Sequence, residues 1–164
     1  MARAIARHNP ARVIALGDSF HDTGAADRLG QEERGMLEAF ARAADFVWIT
    51  GNHDPHPPIW LGGEITDVFR MGGLILRHEP LANFEPGEVA GHLHPCASVA
   101  KWGRSVRRRC FVSDGLRMIL PSFGAYTGGL DVGDAAIASL FAGPFHAYML
   151  GRSRVYAIPR RVAV

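Results

Sequence analysis

An α/β fold, with two mixed β-sheets packed as a sandwich and helices outside, is what this sequence predicts. Two observations carry the prediction: a strand–helix–strand alternation over the first fifty residues, and a succession of short β-runs from Ile65 onward, punctuated by glycine turns. The 164 residues suit a single domain, 1–164, and 48% apolar against 21% charged residues supplies a core, which excludes a disordered chain. No uninterrupted apolar run reaches the roughly 18 residues of a membrane span, and the N-terminus lacks the apolar stretch of a secretory signal. A cytoplasmic protein with no membrane partner is expected.

Taken in order, residues 1–8 read as the end of a helix that Asn9-Pro10 stops. Residues 12–16 are an apolar run of strand length. Gly30 caps the next helix. Glu32 and Glu33 lie in its first turn, where the helix dipole favours acids, and Met36, Leu37, Phe40 and Ala44 recur at helical spacing. Residues 46–50 return as a strand and complete a β-α-β crossover, after which Pro55, Pro57 and Pro58 remove so many backbone donors that 52–58 must be loop. Strands follow at 65–70, 74–78, 88–90, 108–112, 116–120 and 155–158, with Gly72-Gly73 and Asp114-Gly115 as hairpin turns. A late helix at 135–141 has Asp134 as N-cap and Gly143-Pro144 as its stop. Residues 121–130 read as a turn-rich loop in which Gly124, Gly128 and Gly129 permit positive φ.

Chemistry concentrates just after the strands. Asp18 follows the first, Asn52, His53 and Asp54 follow the second, and His78 ends a third apolar run, while His92 and His94 follow 88–90. Ligands at successive strand ends converge on one rim of a sheet. A carboxylate, an amide oxygen and three imidazoles form an oxygen and nitrogen set suited to divalent ions such as Mn, Fe or Zn, with no thiolate required.

The order Gly17-Asp18, then Gly51-Asn52-His53-Asp54, then His78, then Gly91-His92-Leu93-His94 resembles the signature of calcineurin-like metallophosphoesterases. Within that superfamily the wording of 17–22, 91–95 and 121–130 is similar to the bacterial ligase-associated DNA damage response endonuclease group called PdeM, over roughly residues 12–156. The resemblance implies a metallophosphoesterase-like sandwich and two divalent metal ions, Mn foremost, with Fe, Zn or Mg as alternatives. Asp18 would bridge the ions, Asn52, His78 and His92 would complete the second site, and His94 would belong to the first. His53 would be the general acid or the donor to the leaving oxygen, with Asp54 holding its orientation. Two such cations together acidify a water and neutralise a phosphodiester. The implied activity is that of a phosphodiesterase or endonuclease on DNA in ligase-associated repair, with a DNA ligase and a helicase or exonuclease as partners.

The sequence departs from the pattern in one respect. No Asp-x-His precedes Asp18, so the first metal site is expected to be weakened and the chain to begin after the family's first strand. Two alternatives therefore stand beside the enzyme: a short relative with one intact metal site and little activity, and a non-catalytic member of a ligase-associated complex.

Other features are read more plainly. Cys96 and Cys110 are expected to be small buried fillers rather than a disulfide, and neither enters the site. A formal net charge of +2 excludes a dedicated nucleic-acid coat. Arg104, Arg107, Arg108 and Arg109 cluster, as do Arg152, Arg154, Arg160 and Arg161. Either group is a surface for a phosphodiester backbone or a solvated strand face with Arg107 and Arg109 outward. His21 and Asp22 either touch substrate or form a satisfied surface pair, and His8, His56 and His146 read as structural.

Overall fold

The computed structural model describes residues 1–101, 103–124 and 127–160. Its contacts divide the chain into two compact units, Met1–Phe69 with Leu76–His78, and Arg70–Ile75 with Glu79–Val164.

In the first unit, helix α1 (Ala2–His8) ends at Asn9, whose left-handed φ of 41° precedes Pro10. Strand β1 (Arg12–Leu16), helix α2 (Gln31–Ala43), strand β2 (Asp45–Ile49), a 3-10 turn (Ile59–Leu61) and strand β3 (Glu64–Thr66) follow. All pairing is parallel, in the order β1-β2-β3, with Arg12 opposite Asp45 and Leu16 opposite Ile49. The register matters for the site, because parallel strands ending side by side launch their loops from one edge. Gly30 caps α2 as expected: Glu33 Oε2 accepts its N–H at 2.8 Å. The helix stops one residue short of the predicted Ala44, which is extended and begins the return to β2. Phe46, Trp48 and Leu61 form the core with Leu37, Phe40 and Ala41 of α2 packed against them, and Trp48 Nε1–H donates to Gly62 O at 2.9 Å.

The single strand expected at 65–70 is two. Residues Glu64–Thr66 stay beside β2, whereas strand β4 (Val68–Met71) belongs to a different sheet. Asp67 is the corner. The Thr50 hydroxyl donates to Asp67 Oδ1 at 2.7 Å, and the Thr66 hydroxyl donates to Val68 O at 3.0 Å, so side chains supply bonds that a continuous ladder would have made.

The second unit is strand-rich. Strands β5 (Leu74–Arg77), whose last two residues count with the first unit, β6 (Glu88–Ala90), β7 (Cys96–Lys101), β8 (Arg104–Ser113), β9 (Arg117–Ile119), β10 (Phe145–Leu150) and β11 (Val155–Arg160) accompany one short helix, α3 (Ala135–Ala138). The sheet order is β11-β10-β8-β9-β6-β5-β4, with β7 paired on β8. β6 and β9 are parallel, while β7–β8, β8–β9, β8–β10 and β10–β11 are antiparallel, so this sheet is mixed. Val112, Ile119, Ile137, Phe141, Phe145 and Ala147 are its buried heart.

Several predicted boundaries move here. β8 begins at Arg104 rather than 108 because it pairs with β7, a strand the composition hid: Cys-Ala-Ser-Val-Ala-Lys offers only one branched apolar residue. β10 was hidden likewise, although Phe145, Ala147 and Met149 alternate inward. The helix expected at 135–141 closes after Ala138, and Leu140 N–H to Ile137 O at 3.1 Å and Phe141 N–H to Ala138 O at 3.2 Å continue it as tighter turns. Asp134 is its N-cap, accepting from Ala136 N–H at 2.9 Å.

A buried ion pair runs through this unit. Arg117 and Glu88 are 2% and 1% exposed. The Arg117 guanidinium donates to Glu88 Oε2 through Nε at 3.0 Å and through Nη2, to Leu140 O at 2.9 Å and to Leu81 O, and lies over the Phe84 ring. Among the described residues no helix is long and apolar enough to cross a membrane.

Candidate metal centre

The first unit assembles a ligand cluster from three separated segments. Gly17 (φ 80°) turns the chain sharply out of β1, and Asp18 follows in the left-handed region at φ 49°, a conformation that costs a non-glycine residue about 1–3 kcal/mol. The neighbouring loop after β2 holds it there. His53 N–H donates to Asp18 Oδ1 at 2.9 Å. Both motif glycines are required by space. A Cβ on Gly17 would lie 2.4 Å from His78 Nδ1, and one on Gly51 would lie 2.2 Å from Asp18 Oδ1.

His78 completes the cluster, and its hydrogen bonds define its chemistry. Nδ1 lies 2.7 Å from the Leu16 carbonyl, which can only accept, so Nδ1 carries the proton. Nε2 is the ring nitrogen turned toward the neighbouring loops. It faces Asn52 Oδ1 at 2.9 Å and Asp18 Oδ2 at 3.2 Å. Asn52 Oδ1 and Asp18 Oδ2 thus both lie within 3.2 Å of one ring nitrogen, where a shared proton or a shared cation holds them together. The same backbone bond is the outer support that fixes the tautomer of a ligating histidine. This donor set fits a divalent ion of the Mn, Fe or Zn kind.

Asp54 is placed differently from its expected role. Its carboxylate is 3% exposed; Oδ2 accepts from Phe20 N–H at 3.1 Å, and buried Oδ1 has no hydrogen-bond partner. It therefore braces the 18–20 turn rather than the His53 ring. Burial, and after it the nearby Asp18 carboxylate, pushes the Asp54 carboxyl above its usual range against the pull of Phe20 N–H. His53 itself is exposed, and its ring stacks on His21, centroids 6.2 Å apart and 7° from parallel. The parallel imidazoles were beyond sequence reading, because His21 lies in a loop with no periodicity. Asp22 is satisfied elsewhere: it accepts from Arg28 at 2.6 Å and from Gly24 N–H at 2.9 Å, and the Arg28 guanidinium holds its carboxyl below the usual range.

In the second unit, His92 and His94 follow β6 as half-buried residues, both left-handed at φ 60° and 48°, with Leu93 between them anchored against the core. Gly129 passes so close that a Cβ there would lie 2.3 Å from His94 O and 2.6 Å from Cys96 Sγ. Space is thus the reason for Gly129. Gly124, Gly128 and Gly129 do not adopt the positive φ expected of them, and Ala125 and Tyr126 of that loop lie outside the described residues.

The two cysteines are free and buried, and burial, then Cys96, pushes the Cys110 thiol up to about 12. Arg107 is exposed and Arg109 half-buried, as an outward strand face would leave them, and both are anchored by backbone carbonyls: Arg107 donates to Gly129 O at 2.6 Å, and Arg109 to Ser122 O at 3.2 Å and Thr127 O at 3.4 Å. Arg152 and Arg154 are exposed, Arg160 donates to Ser98 O at 3.5 Å, and Arg161 lies outside the described residues. His8, His56 and His146 are exposed, and His146 lies against Tyr148.

Among solved structures, the chain is similar to the crystal structure of Pseudomonas putida nuclease MPE. The TM-score is 0.71 at 29% identity, over 96% of this chain and 74% of that one. The neighbour is a nuclease. No protein-family model matches the chain, and no curated protein does. The α/β, two-sheet class read from the sequence holds, and it is consistent with a metallophosphoesterase-like fold.

Proposed function

We propose that this protein is a divalent-metal-dependent phosphodiesterase acting on nucleic acid, with DNA the substrate and repair its setting. The observation that carries the reading is the convergence of His78 Nε2, Asn52 Oδ1 and Asp18 Oδ2. The similarity to a nuclease over 96% of the chain supports the substrate class. His92 and His94 are proposed as the remaining ligands on the strength of their place in the motif order, and Mn as the metal, with Asp18 shared between two ions. When bound, such ions supply positive charge for phosphate oxygens and an acidified water.

The chain's own residues do the rest. His78, oriented by Leu16 O, would offer Nε2 to the ion, and Asn52 contributes a neutral oxygen that leaves the site cationic toward phosphate. His53, exposed and stacked on His21, is the proposed proton donor to the leaving oxygen. Asp54 positions the turn that carries Asp18. Association with a DNA ligase and a helicase or exonuclease belongs to the same proposal.

Calorimetric Mn titration alongside hydrolysis of bis-p-nitrophenyl phosphate and of a labelled oligonucleotide tests it. The expected result is Mn-dependent cleavage of both, with binding weakened at least about 10–100-fold in Asn52→Ala. Activity that survives chelation, or ion binding indifferent to Asn52, would overturn the proposal.

A further inference from the structure

We infer that β8 carries a separate cationic cleft that grips the phosphodiester backbone of nucleic acid. The inference rests on the nucleic-acid reading above and concerns how the substrate is held, by residues that are not proposed ligands. From Val89 to Ser113 the sequence has no acidic residue and five basic ones, although the whole chain carries a net charge of only +2. Four of the five are arginines of β8: Arg104, Arg107, Arg108 and Arg109.

Their surroundings separate this group from an ordinary solvated strand face. A cleft of about 480 Å³ is lined by Arg107, Arg108 and Arg109 with Thr127, Gly128 and Gly129. Arg107 and Arg109 are fixed at its wall by the backbone carbonyls of Gly129, Ser122 and Thr127. Carbonyls orient a guanidinium without cancelling its charge. Among the described residues, none of the four arginines is in an ion pair. Each guanidinium has five N–H donors, so the carbonyl bonds leave others to offer, and the cost of ordering the side chain is met in folding rather than in binding. Arg107 and Arg109, two residues apart on one face of β8, repeat at about 6.6 Å, a spacing that successive phosphates of an extended strand can follow. Arg108, exposed and donating to Arg107 O, also lines the cleft, whereas Arg104 is exposed outside its lining.

Fluorescence anisotropy of a labelled single-stranded oligonucleotide, with metal chelated to prevent cleavage and KCl varied, tests the cleft. Arg107→Gln/Arg108→Gln, which changes two residues that line the cleft, should bind more weakly, with the slope of log affinity against log salt reduced by about 1.4, the value for two phosphate contacts on a single strand. Arg107→Gln, which keeps a donor for Gly129 O, should lower it by about 0.7. Both should melt like the parent and hydrolyse bis-p-nitrophenyl phosphate at the parent rate. An unchanged slope would overturn the inference. So would an equal loss in Arg3→Gln/Arg7→Gln, which removes the same charge from α1, or capture by phosphatidylserine vesicles in place of the oligonucleotide. If the parent cleaves neither diester, the nuclease reading fails whatever the cleft does; if it cleaves both while the β8 variants bind normally, the cleft alone is wrong.

Discussion

Replacing Gly51 by alanine adds a single methyl group where the two ligand loops meet. Its carbon would lie 2.2 Å from Asp18 Oδ1, 2.3 Å from Asp18 N and 2.9 Å from Asp54 Oδ1. Non-bonded heavy atoms settle near 3.5 Å, so Asp18 must retreat by roughly 1 Å. A flexible side-chain tip would swing aside at little cost; here one obstacle is backbone, already in a left-handed conformation and tied to His53 N–H. Overpacking of this kind costs about 1–3 kcal/mol. At about 2–4 °C per kcal/mol for a chain of this size, the midpoint should fall by about 2–12 °C. The same retreat draws Asp18 Oδ2 away from His78 Nε2, so Mn affinity should drop about 10–100-fold, as for loss of a ligand's outer support. Melting in chelator followed by calorimetric Mn titration separates the two effects. Gly35→Ala is the control: it sits in α2 with nothing within 4 Å of the added carbon, and should stabilise by about 0.8–1 kcal/mol. If Gly51→Ala melts with the parent and binds Mn equally well, the packing reason for that glycine is refuted.

Three further outcomes are expected. Arg117→Met strands the buried Glu88 carboxylate and should cost about 3–5 kcal/mol in urea unfolding, whereas Glu88→Leu/Arg117→Met should recover most of it; a single variant within about 1 kcal/mol of the parent would contradict the pair's role. With its pKa at about 12, Cys110 should stay protonated and inert to Ellman's reagent at pH 8 until guanidinium unfolds the chain, and rapid native labelling at that position would show the thiol to be accessible. Saturating Mn at about 100 times its dissociation constant should add about 2.7 kcal/mol to the stability measured in chelator, and no shift in the midpoint would mean that the converging donors hold no ion.

How far the sequence could be read depended on whether a signal was local. The α2 cap was legible because Gly30, Glu32 and Glu33 act within one turn. β1 and β2 were legible as apolar runs ending where their loops begin, which places Asp18 and Asn52 near a shared strand edge. The corner at Asp67 was not, because its bond comes from Thr50, seventeen residues away. β7 was missed since its residues are small and its identity as a strand comes from pairing with β8. That Arg107 and Arg109 face outward was legible, but the carbonyls that anchor them were not, because such partners carry no sequence signature. For His53 and Asp54, adjacency suggested a pair, yet successive loop residues diverged: one ring faces solvent and the neighbouring carboxylate turns inward to Phe20 N–H.

The chain reaches its first unit twice. Residues up to Phe69 build the parallel sheet, but His78 arrives only with the three-residue return Leu76–His78, after the polypeptide has already contributed Arg70–Ile75 to the second unit. During synthesis, a nascent protein that has emerged only as far as residue 69 holds Asp18 and Asn52 without their imidazole. Neither unit can be excised by a single cut with its membership intact, so a domain boundary drawn between them for expression would amputate the donor on which the cation reading turns.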